Sequence, residues 1–146
     1  MKRLLFCLIS AIPVISYSKN HDCTIVGASL ESSLFSAIGD ELNIDITAID
    51  RAKTRVEHLY TAPVSKTYAA ALAKTDYAAN TSAGRLSLSE GDYFASYHGN
   101  HTQSVTAKYT YFNKANKKDV FIASGLINRD ECSVRFNGYL TLSREF

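Results

Sequence analysis

VTAKYTYFNKANKKDVFIASGLI, residues 105–127, alternates apolar and polar side chains on one side of a polar turn and continues as an apolar run on the other. The turn at 113–119 contains two asparagines and three lysines. A period of two with β-branched and aromatic residues is typical of half-buried strands. Two such segments joined by a polar turn predict an antiparallel hairpin.

Further short alternating segments flank this hairpin, separated by Gly, Asn and Asp turns. Strands are predicted at 42–48, 56–60, 86–89, 93–97, 132–136 and 139–143. Residues 68–74 contain helix formers but no evident cap, and they fit a helix or a strand equally well. The pattern predicts a mainly β (α+β) fold built on an antiparallel meander sheet.

One short N-terminal helix is expected before the first strand. Leu30, Leu34 and Ile38 share one face at helical spacing, Ser29 can cap the start, and Gly39 can end the helix in a left-handed conformation. The helix is therefore predicted over 29–38, where it can pack across one face of the sheet.

The N-terminus has the layout of a secretory signal peptide. Lys2 and Arg3 precede an apolar run from Leu4 to Ile15, and small polar residues follow up to Ser18. We predict a signal peptide over 1–18 and a single β-rich domain over 19–146, in a periplasmic or secreted protein. The run is short for a membrane span, and no span is predicted in the mature chain.

The charge balance argues against nucleic-acid binding. The chain has 16 basic and 14 acidic residues, and removal of residues 1–18 takes away two of the basic ones and no acidic one. The mature net charge is then near zero. A non-specific nucleic-acid binder needs an excess of basic charge to displace counterions, so no nucleic-acid partner is expected.

Two cysteines remain in the mature chain, Cys23 and Cys132. An even pair in an oxidising compartment favours one disulfide. It would close a loop of about 110 residues, worth roughly 4 to 5 kcal/mol in the chain-entropy model. The competing interpretation is a reactive or metal-bound thiol, although two cysteines this far apart match no zinc motif.

An aromatic-rich segment, residues 91–112, is predicted to form a hairpin around the sequence HGNH. Its alternating tyrosines are Tyr93, Tyr97, Tyr109 and Tyr111. They form either one wall of the core or an exposed binding surface, because aromatic side chains give large contact area at low entropy cost.

His98 and His101 are the best metal candidates. Two histidines at a hairpin tip could bind zinc or copper with a third ligand such as His21. The alternative is a plain turn, in which Gly99 and Asn100 supply positive φ angles. No catalytic motif is present in the sequence, so no cofactor is expected and the protein is not predicted to be an enzyme.

The order of these features resembles the VirK family of small secreted bacterial proteins. The similar parts are Leu34–Ile38 with the following Gly39-Asp-Glu and the segment 42–46, the block Gly84–Phe94, and Lys108–Tyr111. The resemblance implies an exported, non-enzymatic, virulence-associated protein, and it implies no catalytic residues.

Three hypotheses of function follow. The first is an exported protein of the VirK type that binds a protein or a surface, with the tyrosines of 91–112 as contacts. The second is a periplasmic inhibitor or immunity protein that blocks a hydrolase with a loop. The third is a small metal-binding protein or hydrolase that uses His98 and His101.

Overall fold

The computed structural model describes residues 23–85 and 88–146. The predicted signal peptide over 1–18 lies outside these residues. The described strands form one four-stranded antiparallel sheet in the order β1-β2-β3-β4. They are β1 (Arg55–Pro63), β2 (Gln103–Phe112), β3 (Lys118–Ile127) and β4 (Arg135–Ser143). The α-helices are α1 (Ser29–Leu42), α2 (Lys66–Ser82) and α3 (Glu90–His98). The predicted α+β class with an antiparallel meander is confirmed, whereas the expectation of a single helix is wrong.

The hairpin predicted from residues 105–127 is present as β2 and β3. The two strands pair without interruption from Gln103 opposite Ile127 to Phe112 opposite Lys118. On β2 every second side chain from Val105 to Tyr111 is fully buried, and the side chains between them are half-buried. The alternation in the sequence therefore reports the two faces of this strand correctly.

Helix α1 packs on the buried face of the sheet through Leu30, Leu34 and Ile38, as their spacing predicts. The helix is longer than expected. Gly39 lies inside it, and the left-handed residue that follows its end is Asn43, with φ of 52°.

The strand predicted at 42–48 is wrong. Leu42 ends α1, and Ile46–Ala48 form a 3₁₀ turn. The Asp45 carboxylate accepts hydrogen bonds from the Thr47 N–H (3.0 Å) and hydroxyl (2.6 Å), which holds the segment in a local turn. Ile44 and Ile49 are buried, so these two isoleucines pack in the core although the segment does not form a strand.

The strand predicted at 93–97 is also wrong, because these residues belong to α3. A capping box starts the helix: Ser89 Oγ accepts from the Asp92 N–H, and the Asp92 carboxylate accepts from the Ser89 N–H, both at 3.2 Å. Leu86 and Ser87 of the strand predicted at 86–89 lie outside the described residues, and Leu88 and Ser89 lead into the helix.

Helix α2 resolves the ambiguity at 68–74 in favour of a helix. Ser65 caps it, with Oγ accepting from the Tyr68 N–H at 3.2 Å. Helices α2 and α3 pack on each other and on Leu126 of β3, on the face of the sheet opposite α1. The small residues Ala69 and Ala73 are fully buried there, which allows the helix to approach closely.

Strand β4 joins two segments that were predicted as separate strands at 132–136 and 139–143. Asn137 and Gly138, expected to form a turn between them, lie inside β4 at a β-bulge opposite Ser124 and Gly125. Gly138 has φ of 98°, a conformation that glycine adopts without a steric penalty, so the chain bulges and continues instead of reversing.

The predicted disulfide is confirmed. Cys23 and Cys132 are bonded across a sequence separation of 109, with their Cα atoms 5.3 Å apart. The bond ties the segment before α1 to the segment before β4. The same N-terminal segment is held a second time, because the Tyr109 hydroxyl donates to the Thr24 carbonyl at 2.9 Å.

Candidate functional site

One face of the sheet is only partly covered. Helix α1 packs on the first face, and the α2–α3 pair covers the second face only around Leu126, which is fully buried. Away from this end the strands carry large exposed side chains: Tyr60 on β1 is 67% exposed and Leu140 on β4 is 66% exposed. We call the part of the second face that none of the helices in residues 23–85 and 88–146 covers the uncovered face.

Strand pairing fixes which side chains lie side by side on the uncovered face. One row across the sheet runs from Tyr60 through Thr106 and Ser124 to Gly138. Except for Tyr60 its members are small, whereas the next row contains Lys108, Ile122 and Leu140.

The row of small residues forms a shallow depression of about 270 Å³, which we call the trough. Its lining residues are Thr106, Ile122, Ser124, Asn137, Gly138, Tyr139 and Leu140. The depression exists because Gly138 has no side chain at the point where Ser124 faces it.

Asn137 is one of the residues that line the trough, and its side-chain amide is held by a neighbouring arginine. Arg135 Nη1 donates to Asn137 Oδ1 at 2.6 Å, which fixes the orientation of the amide. Asn137 Nδ2 is buried and has no hydrogen-bond partner among the described residues. An unsatisfied buried donor is costly to the fold, and because Nδ2 has almost no accessible surface it is not a contact atom for a group that lies in the trough.

The orientation of Asn137 depends on a network that also attaches the helices to the sheet. Asp76 on α2 accepts from Arg135 Nε and Nη2 at 2.6 and 2.8 Å and from the Tyr97 hydroxyl at 2.7 Å. The hydrogen bond from Arg135 holds the pKa of Asp76 below its ordinary value, despite the opposing effect of burial. The trough is therefore fixed in place by residues from α2, α3 and β4.

The two edges of the uncovered face differ: β4 is apolar, whereas β1 carries an ion pair beside an exposed tyrosine. Leu142 is 53% exposed and accompanies Leu140 on β4, while Tyr60 lies at the opposite edge. At the β1 edge Glu57 pairs with Lys108 of β2. A shallow surface with exposed apolar and polar side chains suits a protein partner better than a small ligand, because small ligands bind in concave pockets that enclose most of their surface.

The four tyrosines expected to form a stripe separate into two groups. Tyr109 and Tyr111 on β2 are fully buried under α1, and burial, the larger cause, together with the nearby Glu31 carboxylate raises the pKa of each hydroxyl. Tyr97 is buried and Tyr93 is half-buried, both on α3. The hairpin predicted over 91–112 is wrong, so no shared stripe forms and the interpretation as a core wall applies to the β2 pair.

The residues of the uncovered face that the sequence analysis missed are Tyr60, Asn137, Leu140 and Leu142. Leu140 and Leu142 stood in a correctly predicted strand segment, but period two does not tell which face a helix will cover. Asn137 was assigned to a turn on the basis of Asn-Gly, so no sequence signal separated a bulge from a hairpin at this point.

The two candidate metal ligands lie on either side of the turn that follows α3. The His98 ring stacks on Phe94, with centroids 5.4 Å apart and planes at 10°. His101 is exposed and lines a cavity of about 300 Å³ beside the disulfide. The positive φ angles belong to Asn100 (50°) and His101 (56°), so the expectation of a positive φ at Gly99 is wrong.

The metal hypothesis stays a prediction. Over residues 23–85 and 88–146, no group of three or more His, Cys, Asp or Glu side chains is placed to hold a metal ion. His21, the third ligand that the sequence suggested, lies outside these residues.

A buried carboxylate is present on the other face of the sheet, where it serves the fold. Glu31 in the first turn of α1 is fully buried, pairs with Arg51, and accepts from the Tyr111 hydroxyl at 3.1 Å and the Gly27 N–H at 2.9 Å. Each of its hydrogen bonds joins α1 to another segment. Its role is to hold these segments together.

No helix in the described part of the chain combines the length and the hydropathy needed to cross a membrane. No protein-family model, no curated protein and no solved structure matches the chain.

Proposed function

We propose that this chain is an exported, non-enzymatic protein that acts by binding a protein partner through the uncovered face of its sheet. The observation that carries the proposal is the open trough, which lies beside the exposed side chains of Leu140 and Tyr60. An extended segment of a partner would place its backbone in the trough and its apolar side chains on Leu140 and Tyr60.

Export is supported by the disulfide and by the layout of the N-terminal segment. A bond between Cys23 and Cys132 persists in an oxidising compartment and is rare in the cytosol. We keep a virulence-associated role of the VirK type as part of the proposal, because it follows from the resemblance in the order of the sequence features.

Absence of enzymatic activity is proposed from the roles of the ionisable groups. Asp76 and Arg135 attach α2 to β4, and Glu31 connects α1 to Arg51 and Tyr111. Both carboxylates thus already form hydrogen bonds and ion pairs with side chains of the same chain. A catalytic acid or base has to be free to exchange a proton with a substrate.

A second candidate, an inhibitor or immunity protein, is favoured by one observation. Two exposed loops are tied together at the disulfide end of the molecule: Asn100 Nδ2 donates to Asp130 Oδ2 at 2.6 Å, and the Arg129 N–H donates to the Asn100 carbonyl at 3.3 Å. A rigid pair of loops is the form that a hydrolase inhibitor uses to block a cleft.

The test is capture of a partner by the purified mature protein from periplasm and from culture supernatant. The trough variant Ser124→Arg fills the depression from a solvent-facing position, and Thr75→Arg on the exposed surface of α2 is the matched control. We expect the wild type and Thr75→Arg to retain the same protein and Ser124→Arg to lose it at least tenfold.

Equal capture by all three proteins would reject the trough as the binding site. Loss of capture in Asn100→Asp, with capture by Ser124→Arg unchanged, would support the inhibitor candidate instead. Circular dichroism of each variant shows that the fold is retained.

A further inference from the structure

Strand β4 is an edge of the sheet with one free side. It pairs with β3 only, and among the described residues no backbone hydrogen bond reaches Arg135–Ser143 from another segment. An edge strand of this length presents a row of unpaired N–H and C=O groups, and this is the arrangement to which another strand adds.

The side chains of this edge do not protect it. Residues 137–143 contain no charged residue and no proline, and their two leucines, Leu140 and Leu142, are more than half exposed. Both edge strands have bulges, β1 after His58 and β4 at Asn137 and Leu142. The opposite edge, β1, has further protection that β4 lacks, because Arg55 and Glu57 are charged and exposed and Pro63 ends the strand. The two edge strands therefore differ in charge and in proline content, and β4 is the edge at which another strand can add to the sheet.

We propose that β4 pairs with β4 of a second copy of this chain, so that two four-stranded sheets join into one. A two-fold axis perpendicular to the sheet makes such a pairing antiparallel and self-complementary. With the axis at Thr141, Leu140 of each copy lies opposite Leu142 of the other, so the four exposed leucines form two cross-strand pairs on the uncovered face. Cross-strand apolar pairs of this kind stabilise antiparallel sheets.

Charge also favours a second copy over a charged peptide. In this register no two like charges lie opposite each other, because residues 137–143 are uncharged and Arg144 lies opposite Gly138. Pairing between two copies thus carries no electrostatic penalty, whereas an acidic or basic strand would find no countercharge along the edge.

The dimer also has a consequence for binding at the trough, and this consequence rests on the function proposed above. A two-fold axis perpendicular to the sheet leaves both uncovered faces pointing the same way, so the two troughs lie side by side. A partner with two linked segments could then occupy both, with a gain in effective concentration.

The first test is the mass of the mature protein in solution, by light scattering after size exclusion over a range of concentrations. We expect the mass of two chains for the wild type and of one chain for the double variant Leu140→Lys with Leu142→Lys. Leu88→Lys changes a leucine that is equally exposed but lies before α3, and it should remain a dimer. A wild type with the mass of one chain at every concentration would overturn the proposal.

The second test asks whether β4 is the contact. Thr141 is exposed, and residues directly opposite in antiparallel strands have Cα atoms about 4.5 to 5.5 Å apart, within the range of a disulfide. Thr141→Cys should form a covalent dimer on oxidation, and Thr75→Cys on α2 should not. Equal cross-linking of both variants, or of neither, would reject the β4 interface even if the protein is dimeric.

Discussion

Arg135 on β4 and Asp76 on α2 form a bidentate ion pair, with Nε–Oδ2 and Nη2–Oδ1 distances of 2.6 and 2.8 Å. The two residues are 59 positions apart in the sequence. Both side chains are about four-fifths buried. Parallel N–H···O bonds of this kind are stronger and more directional than a single contact. The pair fixes the position of the α2–α3 helices on the sheet and the orientation of the Asn137 amide beside them.

Replacing Asp76 by Asn should destabilise the protein by about 2 kcal/mol, because the amide cannot accept two charge-assisted hydrogen bonds and leaves Arg135 partly unpaired. Urea unfolding at neutral pH measures this. Asp40→Asn, an exposed position on α1, is the control and should change stability by less than about 0.5 kcal/mol.

The same carboxylate should make stability depend on acid pH. The pKa of Asp76 is lower in the folded protein than its ordinary value of 3.8. The unfolded chain therefore binds this proton more readily, so the stabilisation is complete above pH 3.8 and is lost as the pH falls through the lowered pKa. Asp76→Asn should lose stability less steeply in this range than Asp40→Asn. Parallel curves for the two variants would contradict the expectation.

Removal of Arg51 should cost about 3 kcal/mol, because the Glu31 carboxylate stays buried without its countercharge. The variant Arg51→Ala also loses the contact of the guanidinium with the Phe35 ring, 4.4 Å from its centroid. Lys53→Ala breaks an exposed pair with Asp50 nearby and should cost less than about 1 kcal/mol. Thermal or urea unfolding measures the free energy of unfolding of the two variants. Equal losses of stability would show that Glu31 needs no countercharge.

Loss of the disulfide should lower stability by about 4 kcal/mol, since the bond restricts a loop of more than 100 residues in the unfolded chain. The double variant Cys23→Ser with Cys132→Ser should unfold at lower urea concentration than the oxidised wild type. A reductant should lower the midpoint of the wild type and leave that of the variant unchanged. Two free thiols in the native protein, detected by mass spectrometry, would contradict the expectation.

Gly138→Ala should destabilise the protein by about 1 kcal/mol or more, for a reason that involves the backbone alone. A Cβ at this position would meet no atom within 4 Å, but φ of 98° is strained for any residue with a side chain. Gly91→Ala in the first turn of α3 should have the opposite sign and stabilise by about 0.5 kcal/mol, because alanine favours a helix. Chemical unfolding of both variants measures the difference, and a stable Gly138→Ala would mean that the bulge can relax.

The parts of the fold that could be predicted are those in which the period of the side chains and the environment agree. Residues 105–127 have one buried and one half-exposed face, so period two identified β2 and β3 correctly. The spacing of Leu30, Leu34 and Ile38 identified α1 for the same reason. The pairing of Cys23 with Cys132 was predicted because the third cysteine, Cys7, falls within the predicted signal peptide.

Helix α3 could not be recognised from alternation, because its aromatic residues fit two periods at once. Tyr93 and Tyr97 are four residues apart. Two residues with this spacing lie on the same face of a strand and also on the same face of a helix. The capping box formed by Ser89 and Asp92 was the signal that separates the two. Tertiary packing then stabilises the helix, since the Tyr97 hydroxyl reaches Asp76 on α2 to form its hydrogen bond only if the segment is helical.

The candidate site was even less accessible to prediction. The uncovered face exists because α2 and α3 cover the sheet around Leu126 and extend no further, and the extent of that cover depends on the Arg135–Asp76 pair. The exposure of Leu140 depends on the same arrangement, so its position in an alternating strand carried no information about it.

By itself the sequence determined the antiparallel hairpin, the first helix and the disulfide, because a local period and the presence of two cysteines outside the predicted signal peptide can be seen in the chain alone. Only the tertiary structure decided that residues 90–98 are helical, that Asn137 and Gly138 form a bulge, and that Tyr109 and Tyr111 belong to the core. These outcomes depend on contacts between residues far apart in sequence. Local patterns leave such contacts open, and the energy of packing and of buried hydrogen bonds selects among them.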